Sequence, residues 1–87
     1  MEAIRKAIRK AIRKKISPIY FDAVESRQKN FGIGKDEDDV QVGDKLVLGE
    51  WKENCGYTGR FATRKVKYVL RNVPEYGLKE GYCIIGW

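Results

Sequence analysis

Three tandem copies of Ala-Ile-Arg-Lys, at 3–6, 7–10 and 11–14, set the first constraint on how this chain can fold. The run holds neither Gly nor Pro, and apart from Ile its residues are good helix formers. Ile4, Ile8, Ile12 and Ile16 lie four apart, so on a helix they form one stripe that drifts by about 40° per copy. Ala3, Ala7 and Ala11 flank the stripe, Arg5, Arg9 and Arg13 form one basic row, and Lys6, Lys10 and Lys14 form the next. The spacing predicts a basic amphipathic helix over 1–16. One alternative stays open, with Ile12 to Ile16 as a strand leading into Ser17-Pro18. Residues 1–16 carry seven cations against Glu2, a net charge of +6, whereas the other 71 residues carry eleven charges of each sign. Such a helix repels itself along its cationic face and needs a surface to lie against.

Composition narrows the remaining choices. Eighty-seven residues allow one domain with a modest core. No run of about 18 apolar residues is present, so no membrane span is expected. The basic start has no apolar block behind it, and the expectation is a cytoplasmic protein. Histidine is absent, which removes the commonest general base and the commonest zinc ligand; neither cofactor nor metal is expected. Cys55 and Cys83 are read as reduced thiols, with a disulfide between them as the open alternative.

Behind the repeat, Ser17 reads as an N-cap and Pro18 as a first-turn residue of a second, short helix ending near Ser26. Asn30 to Gly34 reads as a strand interrupted by glycines, and Lys35 to Asp39 as a loop whose four acids form a solvated turn. Lys45 to Leu48 is a strand with buried character. Glu53 to Gly56 and Thr58-Gly59 mark a hairpin connection, and Phe61 to Leu70 is one long alternating strand. Leu78 to Gly81 turns into a last apolar strand, Tyr82 to Trp87. A helical start followed by short strands predicts a small α+β barrel.

Seven patches in order carry a family resemblance. Tyr20-Phe21-Asp22-Ala23-Val24, Lys29-Asn30-Phe31, Val42-Gly43-Asp44, Leu46-Val47-Leu48, Glu50-Trp51, Tyr57-Thr58-Gly59-Arg60 and Gly77 to Tyr82 resemble a bacterial and phage domain of unknown function, of the ASCH branch of the PUA-like superfamily. The resemblance covers about 17–87. It implies a PUA-like β-barrel with the helices packed on it, and RNA or nucleotide binding in a cleft between helix and barrel. The ASCH signature Gly-x-Lys-x-x-Glu-x-Arg falls on Arg27 to Gly34, where only Lys29 matches. Arg27 stands for its Gly, and Gly32 and Gly34 stand for its acid and Arg. Gly49 replaces what the resemblance suggests is a larger polar residue. The implied cleft, at Arg27, Lys29, Gly32, Gly34 and Gly49, has then lost its polar groups.

Identical tandem tetrapeptides beside a glycine-cleared cleft are read as an engineered variant, with 1–16 an added or rebuilt helix and 17–87 the natural domain. No nucleophile and base pair can be assembled, and the chain is not expected to be an enzyme. The leading function is electrostatic binding of RNA or another polyanion through Arg5, Lys6, Arg9, Lys10, Arg13 and Lys14, extended by Lys29 and Arg60, with Tyr57 as a stacking surface. The competing class is an interaction module that self-associates through Ile4, Ile8, Ile12 and Ile16. A natural RNA-binding ASCH domain is the third reading.

Overall fold

A computed structural model of the chain describes residues 10–87. The elements are β1 (Ala11–Ile16), α1 (Pro18–Glu25), β2 (Phe31–Lys35), β3 (Lys45–Lys52), β4 (Gly56–Lys65), β5 (Tyr68–Arg71), a 3-10 turn (Pro74–Tyr76) and β6 (Tyr82–Gly86). They form two three-stranded sheets, β1-β3-β4 and β2-β6-β5. This overturns the expected α+β barrel with two helices. Among the described residues the chain is mostly strand with one short α-helix, and no ladder of hydrogen bonds joins β1 to β2 to close a barrel. No described helix is long and apolar enough to cross a membrane.

The end of the repeat is a strand. β1 runs parallel to β3, with Ala11 opposite Lys45, Ile12 opposite Leu46 and Ile16 opposite Glu50. Pairing with β3 satisfies the β1 backbone through tertiary contact, and β-branched Ile suits a pleated, half-buried surface. A spacing of four is also even, so Ile12 and Ile16 share one face of a strand as readily as one stripe of a helix. Ile12 is buried, and Ile16 is half-buried against the core. The rest of the expected helix, with Ile4, Arg5, Lys6, Ile8 and Arg9, lies outside the described residues.

Ser17-Pro18 starts α1 as expected, with Ser17 extended and Pro18 in the first turn. Phe21 and Val24 form its buried face and meet Leu46, Leu48, Ala62 and Val66 in the core. The helix stops on a Schellman motif. Arg27 turns left-handed at φ 65°, its N–H donates to the Val24 carbonyl, and the Gln28 N–H donates to the Ala23 carbonyl. That position suits glycine, and the resemblance implies glycine there.

Two further expectations change. The single strand expected over 61–70 is two strands, β4 and β5, separated at Val66-Lys67. Val66 exchanges backbone hydrogen bonds with the Gly43–Asp44 turn, and the Lys67 N–H donates to the Gly86 carbonyl, carrying the chain from one sheet to the other. Thr58-Gly59 lies within β4; the connection itself is Glu53 to Cys55.

The acidic loop is also more than a solvated turn. Arg71 grips the Asp36 carboxylate through Nε at 2.5 Å and Nη2 at 3.1 Å, and its Nη2 also donates to the Val40 carbonyl. Lys14 Nζ lies 2.6 Å from Asp38. The hydrogen bonds from Arg71 hold the Asp36 carboxyl below the usual carboxylate range.

Relief of the left-handed strain should make Arg27→Gly more stable by about 0.5–1 kcal/mol in urea denaturation. Asp36→Asn should cost about 1–3 kcal/mol near neutral pH. Because the folded carboxyl titrates lower than the unfolded one, this stabilisation is full above the unfolded value. It is lost as pH falls through the folded value, so parent and variant should converge only in acid below that lowered value.

Candidate functional site

The first candidate is an open cleft of about 720 Å³ between the end of β1 and the start of α1 on one side and β2 and β6 on the other. Leu46, Leu48 and Ile85 give it an apolar lining, to which Tyr20, Phe31 and Trp87 add rings. All its charged lining residues are lysines: Lys14, Lys15, Lys29 and Lys35. Strand alternation explains the open space. Gly32 and Gly34 are the half-buried positions of β2, while Phe31, Ile33 and Lys35 are exposed. A Cβ at Gly34 would meet nothing within 4 Å, and one at Gly32 would meet only the Trp87 ring at 3.4 and 3.5 Å.

Lys29 is held at the rim of this cleft. Its Nζ donates to the Phe31 carbonyl at 2.7 Å and lies 4.1 Å from the centroid of the Phe31 ring and 5.3 Å from that of Tyr20. Burial lowers its pKa. Cys83 also borders the cleft. Burial first, and the neighbouring Asp36 charge second, raise its pKa and disfavour the reactive thiolate. Both cysteines are free thiols, Cys55 exposed and Cys83 buried. Among the described residues, the indole Nε1 of Trp87 is a buried donor without a partner.

The other residues singled out by the sequence separate. Arg27 borders a different depression with Asn30, Lys65 and Lys67. Arg60 is held by acids, its guanidinium 3.4 Å from buried Glu50 and 3.3 Å from Asp22, and it lies over the Phe21 ring at 4.6 Å. Thr58 donates to the other oxygen of Glu50 at 2.6 Å, so Arg60 serves this buried carboxylate. Lys10 lies 3.4 Å from buried Asp44 and donates to the Asp39 carbonyl. Lys10 and Lys14 therefore face acids, and the basic row expected of them does not form over the described residues.

Gly49 and Tyr57 belong to the outer face of the β1-β3-β4 sheet. A Cβ at Gly49 would lie 2.6 Å from a Phe61 ring carbon and 2.7 Å from a Tyr57 ring carbon. Gly49 thus makes room for two aromatic rings on the sheet and does not line the cleft. Sequence reasoning missed Lys15, Tyr20 and Trp87, which border the cleft from β1, α1 and the chain end. Their convergence depends on the β1–β3 and β2–β6 pairings, and no local signal carries either pairing.

Gly49→Ala should destabilise the fold by about 1–3 kcal/mol, the range for overpacking a filled site, as measured by urea denaturation. The same substitution at Gly34 should be neutral or mildly stabilising, because its Cβ has free space and a strand glycine is costly.

No curated protein matches the chain. Residues 13–87 match the family model of DUF3850, a domain of unknown function, and this span takes in most of β1 and every element after it. The chain belongs to the DUF3850 family.

Proposed function

We propose that this chain is a non-catalytic binding module whose cleft takes a nucleotide, free or at the end of an RNA strand. The charge of the cleft carries this reading: its lining holds lysines and, among the described residues, no carboxylate, with the Lys29 ammonium at the rim while those of Lys14 and Lys15 are engaged by Asp38 and the Trp51 ring. Such a site attracts a phosphate, and the rings of Tyr20, Phe31 and Trp87 suit a planar base. The unpartnered Trp87 Nε1 is a donor in search of an acceptor. The resemblance of residues 17–87 to ASCH domains points to the same ligand class.

Catalysis finds less support. Gly32 and Gly34 contribute no acid or base, Cys83 is kept as a thiol, and the Lys29 ammonium is engaged by a carbonyl and two rings. Its lowered pKa has a different consequence. A bound phosphate favours the charged ammonium, so affinity should weaken as pH rises through the lowered Lys29 value.

Calorimetric titration with mononucleotides, which are too short to occupy a strand-binding face, tests the proposal. Gly34→Glu places a carboxylate where the backbone has room for a side chain, and it should keep the fold while reducing affinity by about tenfold or more. Lys29→Met should weaken binding and remove its dependence on pH in the alkaline range. Unchanged affinity in a folded Gly34→Glu variant would sink the cleft reading.

A further inference from the structure

The outer face of the β1-β3-β4 sheet carries a second arrangement that the cleft does not use. Trp51, Tyr57 and Phe61 lie side by side there. Trp51 and Tyr57 meet edge to face at 5.0 Å between centroids, and Tyr57 and Phe61 lie 5.6 Å apart with a 36° tilt. Tyr57 and Phe61 remain 38% and 42% exposed although they pack on one another.

A local irregularity builds this cluster. Gly49 pairs with Phe61 and Trp51 pairs with Tyr57, so β4 places three residues, Thr58 to Arg60, opposite the single Glu50. This bulge bends β4 and brings both rings over Gly49. Any side chain at Gly49 would lift them off the sheet.

Cations frame the rings. The Arg13 guanidinium lies 5.2 Å from the Phe61 centroid and 5.8 Å from that of Tyr57, and Lys15 Nζ lies 3.9 Å from that of Trp51. Farther along the same face, exposed Lys45 and Lys65 sit directly opposite one another in the β3–β4 ladder. Like charges in register destabilise a sheet unless an anion lies between them. The strand residues that alternate onto this face include no carboxylate among those described.

We propose that this face is a stacking platform for single-stranded nucleic acid. Bases stack on Tyr57 and Phe61, Arg13 lies flat against a base or reaches a phosphate, and the backbone runs toward the Lys45–Lys65 pair. The six residue steps from Lys45 to Trp51 span about 20 Å, enough for a short strand at the lower end of known site sizes, about four nucleotides. A duplex hides the base faces and gains only the electrostatic part. The platform is separate from the cleft and does not depend on the cleft's ligand.

Fluorescence anisotropy with labelled oligouridine, oligothymidine and a duplex of equal length tests this, on the full chain and at several salt concentrations. Both single strands should bind more tightly than the duplex; a preference between them reports on the sugar. Tyr57→Ala with Phe61→Ala should lower single-strand affinity by about tenfold or more per ring and leave duplex affinity nearly unchanged. Lys45→Gln with Lys65→Gln alters no packed ring and should reduce the slope of log affinity against log salt by about 1.4. Gly34→Glu, which blocks the cleft, should leave strand binding in place; its loss there would assign the strand to the cleft and overturn the platform. Equal affinity for duplex and single strand, an unchanged salt slope in the lysine variant, or no strand binding at low salt would each overturn it as well.

Discussion

The parallel pairing of β1 with β3 is the constraint on which the other features depend. It buries Ile12 beside Leu46 and holds Ile16 against the core, so the sheet has an apolar inner layer for α1 to cover. The same register alternates the side chains that follow. Lys14 falls on the inner side, where it meets Asp38 and the cleft, while Arg13 lies over the rings of the outer side. Slipping β1 by one residue would reverse all of these assignments at once, because the side-chain period of a strand is two.

Charge is distributed by that alternation and by the acidic loop. A net charge of +6 on residues 1–16 suggests a uniform basic arm. In the fold, Lys10 and Lys14 turn toward Asp44 and Asp38, and Arg71 anchors the loop at Asp36. What remains exposed is selective: lysines around an apolar cleft, and cations beside aromatic rings on the opposite side of the sheet. Both arrangements combine a positive charge with a flat apolar surface, the pairing that suits a base and its phosphate.

Glycine has three separate roles, which are indistinguishable in the sequence. Gly34 leaves space in the cleft, and Gly32 leaves room bounded by Trp87. Gly49 is required by close packing of Tyr57 and Phe61, and grouping it with the cleft glycines merges opposite physical situations. The position where glycine would relieve strain, Arg27 at φ 65°, carries none. A glycine's meaning lies in what faces the missing Cβ, and that is set by strands distant in the sequence.

Much of the local structure was legible. Ser17-Pro18 announced α1, the glycine-interrupted segment was a strand, and the apolar chain end was another, because caps, breakers and short apolar runs act over a few residues. The repeat was ambiguous for a definite reason: four is both near a helical turn and an even number, and the Ile spacing satisfies either geometry. By itself the sequence determined the absence of histidine chemistry, the concentration of charge at one end and the boundaries of α1. Tertiary structure alone decided that residues 11–16 are strand, that the sheets stay unclosed, and which lysines and rings meet. Those outcomes follow from hydrogen bonding and burial between segments tens of residues apart, where local propensities of a few tenths of a kcal/mol are overridden.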